Sequence, residues 1–299
     1  MRAFAIDEFG APGSLHELPD PTPEEGQVRV RVEAASINPA DVLMLGGAYK
    51  DFMEHRFPMV PGLDLGGTVD AVGTGVDGLQ VGDPVFGVHG MRVVGAGALA
   101  EFTIASAATI ARRPPEVDAA FGAALSLAGV SALTMVETAE PQAGDVVLLI
   151  GAAGATPIAV TRAVNHDYVR GLGASQTIDY QAQDVFDTVR TAHPDGIAAI
   201  FDMVGDKEAN ARLAQLVRLG GHFASMAGGA DVEALAARGI TGLNVRTQAT
   251  TEKLERLLEF VASGSLRRPE IRTFALADAG QALIEIAGRH VRGKLVIVP

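Results

Sequence analysis

The sequence predicts an α/β protein of two domains, in which a β-rich, barrel-like domain receives a doubly wound parallel sheet as an insertion. Three observations carry that prediction. The first 115 residues are rich in Gly and Pro and hold short Val-rich strands at 27–34, 65–72, 84–88 and 99–104, after an opening strand at 1–6. Turn-forming pieces such as Gly73-Thr74-Gly75 and Val81-Gly82-Asp83-Pro84 lie between them, which is the punctuation of antiparallel pairing. From about Asp118 the pattern changes to Ala/Leu-rich helices at 118–127 and 130–137, followed by alternation. Strands at 145–150, 158–161, 176–178, 198–203 and 221–226 alternate with helices at 165–172, 182–191 and 208–217, before a further helix at 252–263. Helical crossovers between strands imply a parallel sheet. Finally, a helix at 278–287 and a strand at 294–298 return to the short-strand style. The boundaries read this way are 1–117 with 265–299 for the β-rich domain, and 118–264 for the insertion.

Composition excludes several kinds of chemistry. Apolar residues make up 48% of the chain and aromatics only 5%, so the core must be built from Ala, Val, Leu and Ile, as suits buried strands under Ala/Leu helices. A formal charge of −12, with no clustering of the basic residues, speaks against a nucleic-acid partner. The absence of cysteine removes disulfides, thiolate zinc sites, Cys nucleophiles and Fe–S clusters. The amino terminus lacks the charged and apolar regions of a secretory signal, and no apolar run is expected to reach the roughly 18 residues of a membrane span. The expectation is a cytoplasmic protein with no membrane partner.

The segment that carries chemistry is a buried strand, 145–150, running into Gly151-Ala152-Ala153-Gly154. Glycines at such a turn let backbone N–H groups approach a pyrophosphate at a helix N-terminus. A strand ending in these four residues is equally compatible with a structural turn, and the alternation that follows favours the dinucleotide reading. What comes next is anomalous: Ala155 is followed at once by 156–161, which already reads as the second strand. Adjacent parallel strands need a crossover of about a dozen residues or more, usually helical. Either a segment of that size is missing between Ala155 and Thr156, the reading the intact flanks favour, or the protein lacks its phosphate-binding helix.

The second strand ends in Thr161-Arg162, with no acidic residue to grip a ribose 2′-OH. Arg162 would pair with a 2′-phosphate and select NADPH; otherwise it is a solvated surface arginine. Tyr180 could add a hydroxyl to the same phosphate, or cap the third strand. Val204, in Asp202-Met203-Val204-Gly205, and Met226, Ala227 and Gly228 after Ser225 fall at strand C-termini, the edge where such sheets bind ligands.

In this order the pieces resemble the quinone oxidoreductase branch of the medium-chain dehydrogenase/reductase family, zeta-crystallin-like and zinc-independent. The likeness begins at Val32-Glu33 through Asn38-Pro39-Ala40-Asp41 and continues at Pro61-Gly62-Leu63-Asp64-Leu65-Gly66-Gly67. Gly129-Val130-Ser131-Ala132, the glycine turn, Leu172-Gly173-Ala174, Ile178-Asp179-Tyr180 and Gly293-Lys294-Leu295-Val296-Ile297 complete it. The resemblance implies a GroES-like catalytic domain, a Rossmann domain and a homodimer. Zinc members carry Cys where Asn38 stands and Gly-His-Glu where Gly62-Leu63-Asp64 stands, so no metal is expected here.

By the same resemblance Asn38 would lie beside the nicotinamide and substrate, and Ser131 near the nicotinamide ribose. Tyr49 would wall the pocket or donate a hydrogen bond. Asn38 as a turn residue before Pro39 and Tyr49 as a loop anchor stay open, and Asp41 and Asp64 are read as holding loops through backbone amides. Met44, Phe52, Met53 and Phe57 suggest apolar walls. The implied activity is NADPH-dependent hydride transfer to a small apolar electrophile, a quinone or an α,β-unsaturated carbonyl. The alternatives are an enoyl-thioester reductase and, if the 155–156 junction is genuine, a cofactor-sensing homologue without catalysis.

Overall fold

The structure, a computed structural model, describes residues 1–90, 93–142, 145–150 and 158–299, with Ile150 described by its backbone alone. Residues Met1–Val130 and Gln248–Pro299 form one compact unit, and Ser131–Thr247 form the second.

The first unit is organised around the strand Gln27–Ser36. Its sequence alternates, so Val28, Val30, Val32 and Ala34 turn into the core while Arg31 and Glu33 turn out. One of its edges pairs antiparallel with Asp64–Val72. The other is shared by Phe102–Ser106 over its first half and Lys294–Val298 over its last residues. The seven-stranded sheet runs Ile271–Ala275, Lys294–Val298, Gln27–Ser36, Asp64–Val72, Pro84–Val88, Ile110–Arg112, with Phe102–Ser106 off that path. Its outer pair, Ile271–Ala275 and Lys294–Val298, is parallel, and the helix Ala279–Ala287 lies between the two in the chain.

The second unit holds the expected doubly wound sheet. Its order is Gln176–Asp179, Ile158–Thr161, Val147–Ile150, Ile197–Asp202, Val217–Ser225, Thr241–Asn244, and every pairing is parallel. Numbered by sequence this is 3-2-1-4-5-6, and the order reverses between Val147–Ile150 and Ile197–Asp202. The strand Ile197–Asp202 is buried along its whole length, as a central parallel strand must be.

Several expectations need correction. The helices expected at 118–127 and 130–137 are one 21-residue helix, Ala119–Ala139. Gly129 does not break it; a Cβ there would lie 2.8 Å from Leu257 Cδ1, so the glycine admits the helix Thr251–Ala262 at close range. This helix is long and apolar enough to cross a membrane, with a mean hydropathy of 1.8, against the expectation that no run reaches that length. Its apolarity has a local explanation. Ala123 and Ala124 pack on Ala34 and Val296 in the first unit, whereas Met135 and Ala139 pack on Val147, Leu149, Ala199 and Phe201 in the second. Division between the units therefore falls inside the helix, after Val130, instead of at 117–118. The second division follows Thr247 instead of 264, because Thr251 donates to the carbonyls of Ala107 and Ile110 and ties its helix to the first unit.

A further correction concerns the shortened crossover. Val147–Ile150 and Ile158–Thr161 do pair in parallel, Leu148 opposite Ile158 and Ile150 opposite Val160. Eight Cα steps reach about 26 Å. The return from Ile150 to the start of the next strand needs only about 8 Å. Length therefore permits the pairing. The junction of Ala155 and Thr156 lies outside the described residues.

Candidate functional site

Where the strand Gln27–Ser36 ends, Pro39 starts the short helix Pro39–Leu45 and Asn38 stands at its N-cap in an extended conformation. Asp41, in the helix's first turn, reaches back. Its Oδ2 accepts from the Asn38 amide at 2.7 Å and its Oδ1 accepts from the Gly62 amide at 2.9 Å. The loop holding Asn38 is thereby fastened to the turn before Asp64, the structural role expected for Asp41. Gly62 serves the same junction: its φ is +109°, and a Cβ would lie 2.8 Å from the Leu99 nitrogen. Gly62→Ala is expected to cost about 2 kcal/mol or more of stability, read as a lowered thermal midpoint.

The Asn38 side chain is held at both ends. Its Nδ2 donates to Asp64 Oδ2 at 2.8 Å, and its Oδ1 accepts from Lys294 Nζ at 2.8 Å. Lys294 also donates to the Ile37 carbonyl at 3.3 Å and stands 3.8 Å from Asp64 Oδ2. The second oxygen of Asp64 accepts from the Leu127 amide at 2.9 Å. Asp41 and Asp64 are completely buried.

Burial dominates the titration of these groups. It pushes Asp41 from 3.8 up to about 7, with the Asn38 amide opposing the rise and Asp64 adding to it. Burial likewise raises Asp64 against the pull of Lys294, and lowers Lys294 against the pull of Asp64 and Asp41. A nest with two carboxyls and one ammonium avoids an excess negative charge when Asp41 holds a proton. His89, also buried, is pushed down to about 4 by desolvation and stays neutral.

In the second unit one carboxylate organises the C-terminal sheet edge. Asp202 is fully buried; its Oδ1 accepts from the amides of Val204 at 2.8 Å and Gly205 at 3.0 Å. Its Oδ2 accepts from Asn210 Nδ2 at 2.8 Å and from the Ser225 hydroxyl at 2.6 Å. The Ser225 oxygen in turn accepts from the amides of Ala227 at 3.2 Å and Gly229 at 2.9 Å. Val204, Gly205, Ala227 and Gly229 are thus fixed by a single network across two adjacent strands. Gly228 has a φ of +76° and open space where a Cβ would stand.

The remaining expected residues fall as follows. Arg162 and Tyr180 each follow a residue of one cross-strand pair, Thr161 and Asp179, so both stand at the same sheet edge. Thr161 Oγ1 accepts from Asn165 Nδ2 at 3.2 Å, and Tyr180 is exposed. The Ser131 and Thr247 hydroxyls are 2.6 Å apart, which occupies Ser131 within its own unit. Met226 packs at the margin of the core beneath the helix Ala119–Ala139. Gly151, Ala152, Ala153 and Gly154 lie outside the described residues.

Tyr49 joins an apolar cluster with Ile6, Met44, Met59 and Val94, apart from the Asn38 network. Of the expected pocket walls only Met44 is buried, while Phe52 is 82% exposed. Apolar residues in a loop do not declare which way they face. A cavity of about 980 Å³ in the second unit is lined by Lys207, Asn210, Phe223, Asp231, Arg238 and Asn244, none of them expected from sequence. Sequence reasoning also missed Asp202 as the organiser and Lys294 as a partner of Asn38; position at a strand end was the only signal for either.

Comparison with known proteins agrees with this architecture. Residues 24–115 match the alcohol dehydrogenase GroES-like domain and residues 172–297 match the zinc-binding dehydrogenase family. The quinone oxidoreductase of Lama guanicoe is 30% identical over 290 residues, covering 93% of this chain and 84% of that protein. A chloroplast envelope quinone oxidoreductase homolog of Arabidopsis thaliana is 34% identical over 207 residues, and the match spans 62% of either length. The solved quinone oxidoreductase of Coxiella burnetii superposes with a TM-score of 0.88 at 29% identity, covering 100% of this chain and 99% of that one. By these matches the chain belongs to the zinc-independent, quinone oxidoreductase branch of the medium-chain dehydrogenase/reductase family.

Proposed function

We propose that the protein is an NADPH-dependent oxidoreductase that transfers hydride, without zinc, to a quinone or an α,β-unsaturated carbonyl. The observation that carries the reading is the Asn38–Asp64–Lys294 network: where zinc relatives place a metal ligand, this chain holds a carboxamide fixed by a carboxylate and an ammonium. Such a group can polarise a carbonyl oxygen, which suits an electron-poor acceptor that takes hydride at carbon.

The fit of a nicotinamide dinucleotide is supported at two places. The Asp202–Ser225 network holds the loops at 203–205 and 226–229 rigid, and Gly228 leaves room for a close approach. Arg162 and Tyr180 share the sheet edge where a 2′-phosphate would be met. Bound there, the cofactor would supply the hydride; the chain's contribution is orientation and the exclusion of water. A homodimer formed along the outermost strand, Thr241–Asn244, belongs to the same proposal.

The test is NADPH oxidation against a panel of quinones and enones. Turnover is expected with at least one class, and none with any acceptor would overturn the reading. Arg162→Gln is expected to reduce the preference for NADPH over NADH about tenfold or more, measured as the ratio of kcat/KM values. An unchanged ratio would remove Arg162 from the site.

A further inference from the structure

An asparagine carboxamide can usually turn over, exchanging its oxygen and nitrogen at little cost, but Asn38 cannot. Its nitrogen faces Asp64 Oδ2, an oxygen that can only accept while ionised, and its oxygen faces the Lys294 ammonium, which can only donate. Turning the amide over would set NH2 against the ammonium and C=O against the carboxylate. The two clamping groups are themselves held. Asp64 accepts from the Leu127 amide, and Lys294 donates to the Ile37 carbonyl.

This leaves one group over. Asn38 Nδ2 carries two hydrogens, and among the described residues only Asp64 accepts from it. Asn38 is 6% exposed, so the second N–H is nearly cut off from water as well. Buried donors are almost always satisfied, and one left over at a site marks a place for a ligand oxygen.

We infer that Lys294 and Asp64 are positioning residues that lock the Asn38 carboxamide so that its second Nδ2–H is presented to the carbonyl oxygen of the acceptor. The inference rests on the proposed function only in naming the acceptor; the lock itself is a property of the chain. Lys294 acts through Asn38, and its own ammonium is already directed at Asn38 Oδ1 and the Ile37 carbonyl.

Two measurements test it on the full chain. The first needs no turnover: hydrogen exchange of the Asn38 side-chain amide, followed by NMR and assigned by its loss in Asn38→Ala. Lys294→Met keeps the length of the side chain and removes its charge, and is expected to speed exchange of that amide about tenfold or more while the backbone amides of the strand Gln27–Ser36 are unchanged. Equal exchange in both proteins overturns the lock, as does faster exchange throughout the strand, which would make Lys294 a general structural residue.

The second is a kinetic cycle with an active acceptor. Lys294→Met is expected to lower kcat/KM for the acceptor about tenfold or more, with NADPH affinity by calorimetry unchanged, and to have no further effect in an Asn38→Ala background. Lys294→Arg, which restores a donor, is expected to recover part of the loss. Additive losses would overturn action through Asn38. A wild-type protein without turnover would instead count against the proposed function, and the exchange measurement would still decide the lock.

Discussion

Replacing Asp202 by alanine will destabilise the second unit by about 3–5 kcal/mol. The size follows from the number of partners. Four groups lose their acceptor at once: the Val204 and Gly205 amides, the Asn210 carboxamide and the Ser225 hydroxyl. All face a carboxylate that is fully buried, so water cannot replace it without opening the sheet edge. Asp202→Asn should lose less, since one oxygen still accepts from the Val204 and Gly205 amides and the new NH2 can donate to Asn210 once that carboxamide turns over. Urea unfolding of the two variants gives the order directly, and a loss below about 1 kcal/mol for the alanine would show that the network is not the organiser of that edge.

A second large effect is expected from Asp41→Asn, as a change in how stability depends on pH. Burial raises Asp41 from 3.8 to about 7, so in the folded state it keeps a proton that the unfolded chain has released. A raised carboxyl contributes stability that is complete below its unfolded value and is lost as pH climbs to the folded one. His89 works with the opposite sign. Burial lowers it from 6.5 to about 4, so stability is gained as pH rises through that window. In the wild type the two slopes oppose each other, and the useful quantity is the difference between variant and wild type. That difference should move in favour of the variant by on the order of 4 kcal/mol between pH 4 and pH 7. Parallel curves for the two proteins would mean that folding leaves the titration of Asp41 unchanged. The variant's single oxygen can accept from the Asn38 or the Gly62 amide but not from both; that loss is the same at every pH, so it lowers the stability curve without changing its slope.

Much of the fold could be read in advance where a period was clear. The alternation in 27–36 and the unbroken apolar run of 197–201 announce a two-sided strand and a buried one. Elements without a period were missed. Strand Thr241–Asn244 contains one large apolar residue, and strands Val94–Ala96 and Ile110–Arg112 are three residues each, too short to show alternation. The two-helix reading of 118–137 failed at Ala128-Gly129, where the glycine's reason is the neighbouring Leu257 and not a break in the helix. Of the site, Asn38 and Asp64 were visible through resemblance. Lys294 stood in a recognised carboxy-terminal piece, but its partner is 256 residues away in sequence, and no local pattern encodes a contact at that separation.

That separation sets a timetable. The Asn38 carboxamide finds Asp64 within the same stretch of chain, yet the ammonium that fixes its oxygen is translated 256 residues after it. At about 5–20 residues per second, roughly 10–50 s pass between the emergence of one and the other. During that interval the whole second unit is made, and the strand that carries Lys294 must then insert beside Ile271–Ala275 and Gln27–Ser36. Late in synthesis, therefore, a ribosome-bound chain can hold a finished sheet in its middle while the Asn38 carboxamide still lacks its ammonium partner.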